Sequence, residues 1–173
     1  MTDRARTSLG RLYLVRHAIA AERGPAWPDD TKRPLTRRGI DRMRRAVDGL
    51  QAMGVAPEVV ATSPLLRAEH TARLLVDGLG GGPQLVVMTA LAPGHSPEAV
   101  TDAVAALPTA SSVALVGHEP DLGLLAAWLL GTREAPVFKK GSVCALEVRG
   151  SLKKGGASLE WMATPRMLRA IRP

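Results

Sequence analysis

Three short stretches of this chain hold residue types that handle anions. Arg16 and His17 stand side by side, Ser63, Pro64 and Arg67 form a second group, and Gly117, His118 and Glu119 a third. Two guanidinium groups offer planar forks of donors that match phosphate oxygens bidentately. Two imidazoles add nucleophilic or donor character. The set suits phosphoryl chemistry. It suits acyl transfer poorly, since no serine lies in a Gly-x-Ser-x-Gly elbow. No glycine-rich loop ends in Lys-Ser/Thr, so a nucleotide-cleaving P-loop is not indicated. The four histidines, at 17, 70, 95 and 118, lack paired metal-ligand spacing, and the arginines would repel a cation. No metal is expected.

These groups matter only if the fold brings them together. Arg11 to Val15 reads as a short buried strand, and the Pro-, Asp- and Gly-rich stretch Ala18 to Arg33 as a long loop. Thr36 reads as an N-cap for a helix over Arg37 to Met53, with Ile40, Met43, Val47 and Leu50 at helical spacing. Strands are expected over Glu58 to Thr62, Gln84 to Met88 and Ser112 to Val116. Helices are expected from Pro64 to about Leu79, from Ser96 to Leu107 and from Asp121 to Leu130. Ser142 to Val148 and Ser158 to Met162 read as a late strand pair, and Pro165 to Ile171 as a terminal helical turn. Alternating strands and helices predict an α/β fold of three layers, α/β/α. Its sheet is mostly parallel, with helices on both faces and an antiparallel edge. Sites in such sheets form beyond the carboxyl ends of the strands. His17, Ser63 with Arg67, and His118 all follow strands directly, so three segments deliver them to one edge.

Taken singly, each residue has a plain structural reading. Arg67 could pair with Glu69, and His118 could be a satisfied loop histidine. Their shared register favours function. His70, one helical turn after Arg67, reads as a packing or rim residue, and His95 as a loop residue. Cys144, the one cysteine, lies in an apolar stretch and reads as a buried, inert thiol.

Composition sets the outer bounds. A chain of 173 residues suits one domain, 1–173, with 1–10 as a flexible N-terminal tail. Aromatics are 3%, so the core is expected to be aliphatic and little is left to stack on bases. Nucleic acid is therefore not an expected partner. The net charge of +7 draws anions in general. Its densest cluster, Lys32 to Arg45, reads as a solvated helix face or a substrate-attracting rim. No apolar run is long enough to cross a bilayer, and Met1 to Gly10 lacks an apolar signal segment. A cytoplasmic location without a membrane partner is expected.

The same stretches resemble family motifs. Leu14-Val15-Arg16-His17-Ala18 resembles the Arg-His-Gly/Ala motif of the histidine phosphatase superfamily, which has the phosphoglycerate mutase-like fold. Thr62 to Ala68 resembles its second motif, and Val116-Gly117-His118-Glu119-Pro120 its third. Arg33-Pro34-Leu35-Thr36 with Gly39, Phe138-Lys139-Lys140-Gly141, and the Trp161-Met162 to Pro165 ending are similar to the SixA-type phosphohistidine phosphatases. The resemblance implies a two-step reaction without cofactor or metal. His17 attacks phosphorus and forms a phosphohistidine intermediate, which water hydrolyses. Arg16, Arg67 and His118 hold the equatorial oxygens. The ring nitrogen of His17 that does not attack is expected to donate to a backbone carbonyl, and His118 to be protonated.

Mutase-type members carry a carboxylate general acid after the third strand. Thr89-Ala90-Leu91-Ala92-Pro93-Gly94 offers none here. A sugar alkoxide needs such a proton, whereas an imidazole leaves readily once protonated. The gap agrees with phosphohistidine on a protein as substrate and argues against mutase activity. Asp29, Asp30 and Glu22 in the first loop, and Glu119 beside His118, are the alternative acids. Each reads equally as a solvated carboxylate. Lys139 and Lys140, with Arg33 and Arg37, are candidates for a basic substrate rim. Expected partners are a phosphohistidine protein domain or a small phosphate ester, with phosphate or sulfate able to occupy the site. The rivals are a small-molecule phosphomonoesterase of the same mechanism, and a non-catalytic module that docks phosphoprotein or nucleic acid. An intact His17 speaks against the second, because docking needs no nucleophile.

Overall fold

The computed structural model describes residues 9–171, so the expected tail lies, apart from Leu9 and Gly10, outside the described residues. A six-stranded sheet runs through the centre. Its strands are β1 (Arg11–Arg16), β2 (Val59–Thr62), β3 (Gln84–Val87), β4 (Ser112–Gly117), β5 (Val143–Val148) and β6 (Ala157–Ala163), in spatial order β3-β2-β4-β1-β5-β6. The first four strands in that order pair in parallel, and β5 runs antiparallel to both β1 and β6. The expected antiparallel edge is thus a strand pair.

Helices cover both faces. Side chains alternate along a strand, so β1 sends Tyr13 and Val15 to one face and Leu12 and Leu14 to the other. The first face packs against α1 (Arg37–Ala52), α2 (Leu66–Gly78) and the short α5 (Pro165–Leu168), through Met43, Val47, Leu50, Ala72, Leu75 and Leu168. The second packs against α3 (Pro97–Ala105) and α4 (Asp121–Leu130), through Val100, Val104, Leu122, Leu125 and Leu129. Tyr13 is the buried aromatic of the first cluster, Phe138 that of the second, and the rest of each core is aliphatic. Cys144 is fully buried, and burial pushes its thiol up to about 12. Among the described residues no helix is long and apolar enough to cross a membrane.

Two details fix the chain near the sheet's carboxyl edge. Thr36 caps α1, its Oγ1 accepting from Gly39 N at 2.9 Å, and Thr36 N donates to Ile19 O at 3.0 Å. Gly39 lies so close to Ile19 O that a Cβ there would strike it. The loop after β1 is therefore strapped to the start of α1. The loop also contains a 3-10 turn, Asp30–Lys32, and a second one, Thr89–Leu91, follows β3. Neither shows as a periodicity in the sequence. α2 starts two residues after Pro64, with Leu65 at its N-cap.

Candidate active site

The strand order explains the convergence. β2, β4 and β1 are consecutive neighbours, and their last residues stand in register: Arg16 with Gly117, and Thr62 with Val116. The ladder continues past the strand ends, with His17 N donating to Gly117 O at 3.1 Å and Ser63 N to Val116 O at 3.0 Å. His17, Ser63 and His118 are thereby set side by side, and Arg67 follows in the first turn of α2.

Each side chain is then fixed. His17 is 5% exposed and its Nδ1 donates to Ala18 O at 2.8 Å. A carbonyl only accepts, so the neutral ring carries its proton on Nδ1 and its lone pair on Nε2. Ala18 N in turn donates to Thr71 Oγ1 at 3.0 Å, and that hydroxyl donates to Arg67 O at 2.8 Å. The loop behind His17 and the helix carrying Arg67 thus share one strut. His118 lies with its ring centroid 5.2 Å from that of His17. Its Nε2 is 2.8 Å from Ser63 Oγ, which also accepts from Leu65 N. Arg16 donates from Nη1 to Phe138 O at 2.6 Å. Gly141 N donates to both Arg16 O and His17 O at 3.1 Å. Gly141 has φ of 81°, a left-handed conformation that glycine adopts without strain.

Burial and like charge dominate the electrostatics. His17 is pushed down to about 4, by burial first, then by Arg67, Arg16 and Lys140 against the opposing bond to Ala18. His118 is pushed down to about 3 by burial, His17 and Arg67. The expectation of a protonated His118 therefore fails for the pocket by itself: a cation there would be buried among cations. Both guanidinium groups lie below their ordinary value, burial being the first cause. Arg16 Nε, Arg67 Nε and His118 Nδ1 are buried and make no hydrogen bond within the protein. Buried donors of this kind are costly unless a partner satisfies them. An oxyanion held by all three would do so.

The expected acids and rim residues separate. Asp30 reaches Arg67, its carbonyl accepting from Nη1 at 2.9 Å and its Oδ2 from Nη2 at 3.1 Å. Burial would raise this carboxyl, but Arg67, Arg33 and Arg23 outweigh it and hold it below its usual range. Asp30 is thus an ionised partner of Arg67 and an unsuited proton donor. Asp29 caps the 3-10 turn, bonding Thr31 and pairing with Lys32 at 3.5 Å, and Glu22 is exposed. Glu119 differs: burial raises its carboxyl, although Oε1 accepts from Phe138 N at 3.3 Å. Arg33 is no free rim cation, since it pairs with Asp30 at 2.9 Å and donates to Ala21 O at 2.6 Å. Lys139 and Lys140 are exposed beside Arg16. His70 is half-buried on α2, and His95 is bound within its own loop to Ala92 O at 2.9 Å.

The model of the histidine phosphatase superfamily (branch 1) matches residues 12–92. An uncharacterized protein of Picosynechococcus is 44% identical over 116 residues, 65% of this chain and 68% of that protein. Phosphohistidine phosphatase SixA of Escherichia coli (strain K12) is 29% identical over 166 residues, 93% of this chain and 99% of its own. The solved structure of the protein histidine phosphatase SixA complexed with tungstate superposes with a TM-score of 0.80 at 28% identity. It covers 90% of this chain and 97% of that one. The chain belongs to the histidine phosphatase superfamily. Within the superfamily it falls in the SixA branch, and its fold is the phosphoglycerate mutase-like one expected from the motifs. The likeness of this histidine phosphatase to SixA spans 90% of the chain and so extends well beyond residues 12–92.

Proposed function

We propose that this phosphatase removes phosphoryl groups from phosphohistidine on protein substrates through a covalent intermediate on His17. The observation that carries the reading is the bond from His17 Nδ1 to Ala18 O, which leaves the Nε2 lone pair free beside the buried guanidinium of Arg67 and the half-buried one of Arg16. Nε2 attacks phosphorus in line, and the phosphorus–nitrogen bond to the substrate's imidazole breaks. The departing imidazole takes up a proton. Water then attacks the phosphorus on His17, releasing inorganic phosphate and restoring the neutral ring. Ala18 O steadies the Nδ1–H through both steps. Arg16 and Arg67 hold the equatorial oxygens, where charge accumulates. Ser63 can donate its hydroxyl proton to His118 Nε2 while accepting from Leu65, which puts the ring proton of His118 on Nδ1, free to bind phosphate oxygen. A bound phosphoryl dianion favours the charged form of His118, opposite to the effect of its protein neighbours. An intracellular phosphoprotein substrate goes with a cytoplasmic location.

Turnover of a phosphorylated histidine domain should exceed that of a panel of phosphate esters, and mass spectrometry after acid-free quenching should find phosphate on His17. His17→Ala should abolish phosphate release while binding of inorganic phosphate persists. Faster turnover of the esters would give the substrate to the small-molecule reading. Salt-sensitive nucleic-acid binding with no phosphate release would give the protein to the docking reading.

A further inference from the structure

A groove of about 480 Å³ opens beside the catalytic pocket and shares Arg16 and Ala18 with it. Ile19, Met43 and Pro165 form its apolar surface. Its charges come from three elements: Arg42 on α1, Lys139 and Lys140 on the turn before β5, and Arg166 and Arg169 at α5. No carboxylate is among the groove's lining residues. Among the described residues none of the five cations forms an ion pair. Arg169 registers this crowding: it lies below its ordinary value through burial, then Arg42, Arg45 and Arg166.

The arginines around the first loop are paired instead. Arg67, Arg33 and Arg23 all reach Asp30. The groove therefore concentrates positive charge without internal compensation, immediately next to the place where a phosphoryl group would bind. Its shape of charge also separates it from a phosphate cradle. The cations come from three separate elements around apolar side chains, instead of meeting as Arg16 and Arg67 do beside one imidazole. An extended ligand with alternating acidic and apolar groups fits that arrangement, and a peptide segment has that form.

We propose that this groove receives an acidic segment of the phosphoprotein substrate, its carboxylates on Arg42, Arg166 and Arg169 and an apolar side chain over Ile19, Met43 and Pro165. The inference rests on the phosphoprotein reading above and adds how the protein, beyond its phosphoryl group, is recognised. Docking energy from such a remote contact improves capture of the substrate without altering the chemistry at His17.

The test uses the full chain carrying Arg42→Glu and Arg166→Glu together, and three probes. A fluorescent, unphosphorylated peptide of alternating Asp, Glu and Leu reads the groove. Inorganic phosphate as a competitive inhibitor, and phosphoramidate as a small phosphorus–nitrogen substrate, read the catalytic pocket. Peptide binding should weaken by about tenfold or more in the double variant, since two attractive contacts become repulsive. Phosphoramidate kcat/KM and phosphate inhibition should stay within about twofold, as separate sites act independently. Equal peptide binding by both proteins overturns the proposal, and so does equal binding of a lysine-for-acid control peptide. Tighter charge-dependent binding of pyrophosphate or of an RNA oligonucleotide than of the acidic peptide also overturns it. If the double variant does not fold, Arg166→Gln on the exposed side of α5 answers the same question. Charge-dependent peptide binding together with no turnover of a phosphohistidine protein would sink the substrate reading while leaving the groove intact.

Discussion

The carboxylate of Asp30 lies 3.1 Å from the buried guanidinium of Arg67, and the same residue's carbonyl accepts a second bond from it. A loop residue thus clamps a helix residue 37 positions away, using both its side chain and its backbone. Arg33 and Arg23 hold the other carboxylate oxygen, so Asp30 itself is fixed from two sides. Arg67 faces any incoming anion already oriented, at the cost of a negative charge beside it.

Replacing Asp30 by Asn should therefore have two opposite effects. Arg67, 4% exposed, loses its counter-charge, and stability should fall by about 1–2 kcal/mol, the buried-pair cost discounted because Asp30 is one-third exposed. Thermal unfolding checks this. Inorganic phosphate should raise the melting temperature of Asp30→Asn more than that of the wild type, because a repelling charge is gone. An unchanged phosphate response would show that the carboxylate does not reach the anion's field.

The depressed histidines predict the acid side of the pH profile. His17 must be neutral to attack, and its folded value of about 4 keeps it neutral through the neutral range. kcat/KM for phosphoramidate should stay level on its acid side down to about pH 5 and fall toward pH 4. Stability has the same sign. The unfolded chain binds protons on both histidines near their ordinary value of 6.5, whereas the folded chain resists until about 4 and about 3. The unfolded state thus holds more protons between those limits, so stability is full above pH 6.5 and declines as the pH falls below it. Urea midpoints across pH 3.5–7.5 check the slope. His118→Asn should flatten it.

Much of this was legible from residue order. Arg16, His17, Ser63 and His118 each follow an apolar, β-rich run, and alternation with helices requires those runs to be parallel neighbours. The Asp30–Arg67 clamp was not legible, because the loop over Ala18 to Arg33 has no periodicity and the contact depends on where α2 lies. The neutral state of His118 was not legible either, because the burial that penalises its charge belongs to the folded state. Arg166 and Arg169 showed no signal either. They meet Arg42 only because α5 packs on α1, with Gly49 allowing Leu168 O to approach too closely for a Cβ.

Gly39→Ala probes the strap between α1 and the loop behind His17. A Cβ at Gly39 would strike Ile19 O, the acceptor of Thr36 N at 3.0 Å. Helix propensity favours alanine, so a gain would be expected on an exposed helix. Here the overlap should win, costing about 1–3 kcal/mol, with the melting temperature falling about 2–4 °C for each kcal/mol. Ala18 precedes Ile19 and orients His17, so kcat should fall as well. A variant of equal stability and activity would remove the strap from the account.

Glu119 offers the sharpest division between positioning and proton transfer. Its carboxylate accepts from Phe138 N, and Phe138 O accepts from Arg16 at 2.6 Å. A positioning role predicts that Glu119→Gln, which keeps an acceptor oxygen, retains most activity. Glu119→Ala should lose about ten- to a hundredfold in kcat/KM, through a displaced Arg16, on every substrate alike. A general-acid role predicts another pattern. Glu119→Gln would then fail on alkyl phosphates, whose leaving groups need a proton, and spare p-nitrophenyl phosphate, whose leaving group does not. The raised carboxyl of Glu119 favours the acid, whereas its bond to Phe138 favours the strut. Comparing kcat/KM for the two variants across leaving groups decides the matter. The hydrogen-bond chain to Arg16 makes the uniform loss in Glu119→Ala, with rescue by Gln, the expected result.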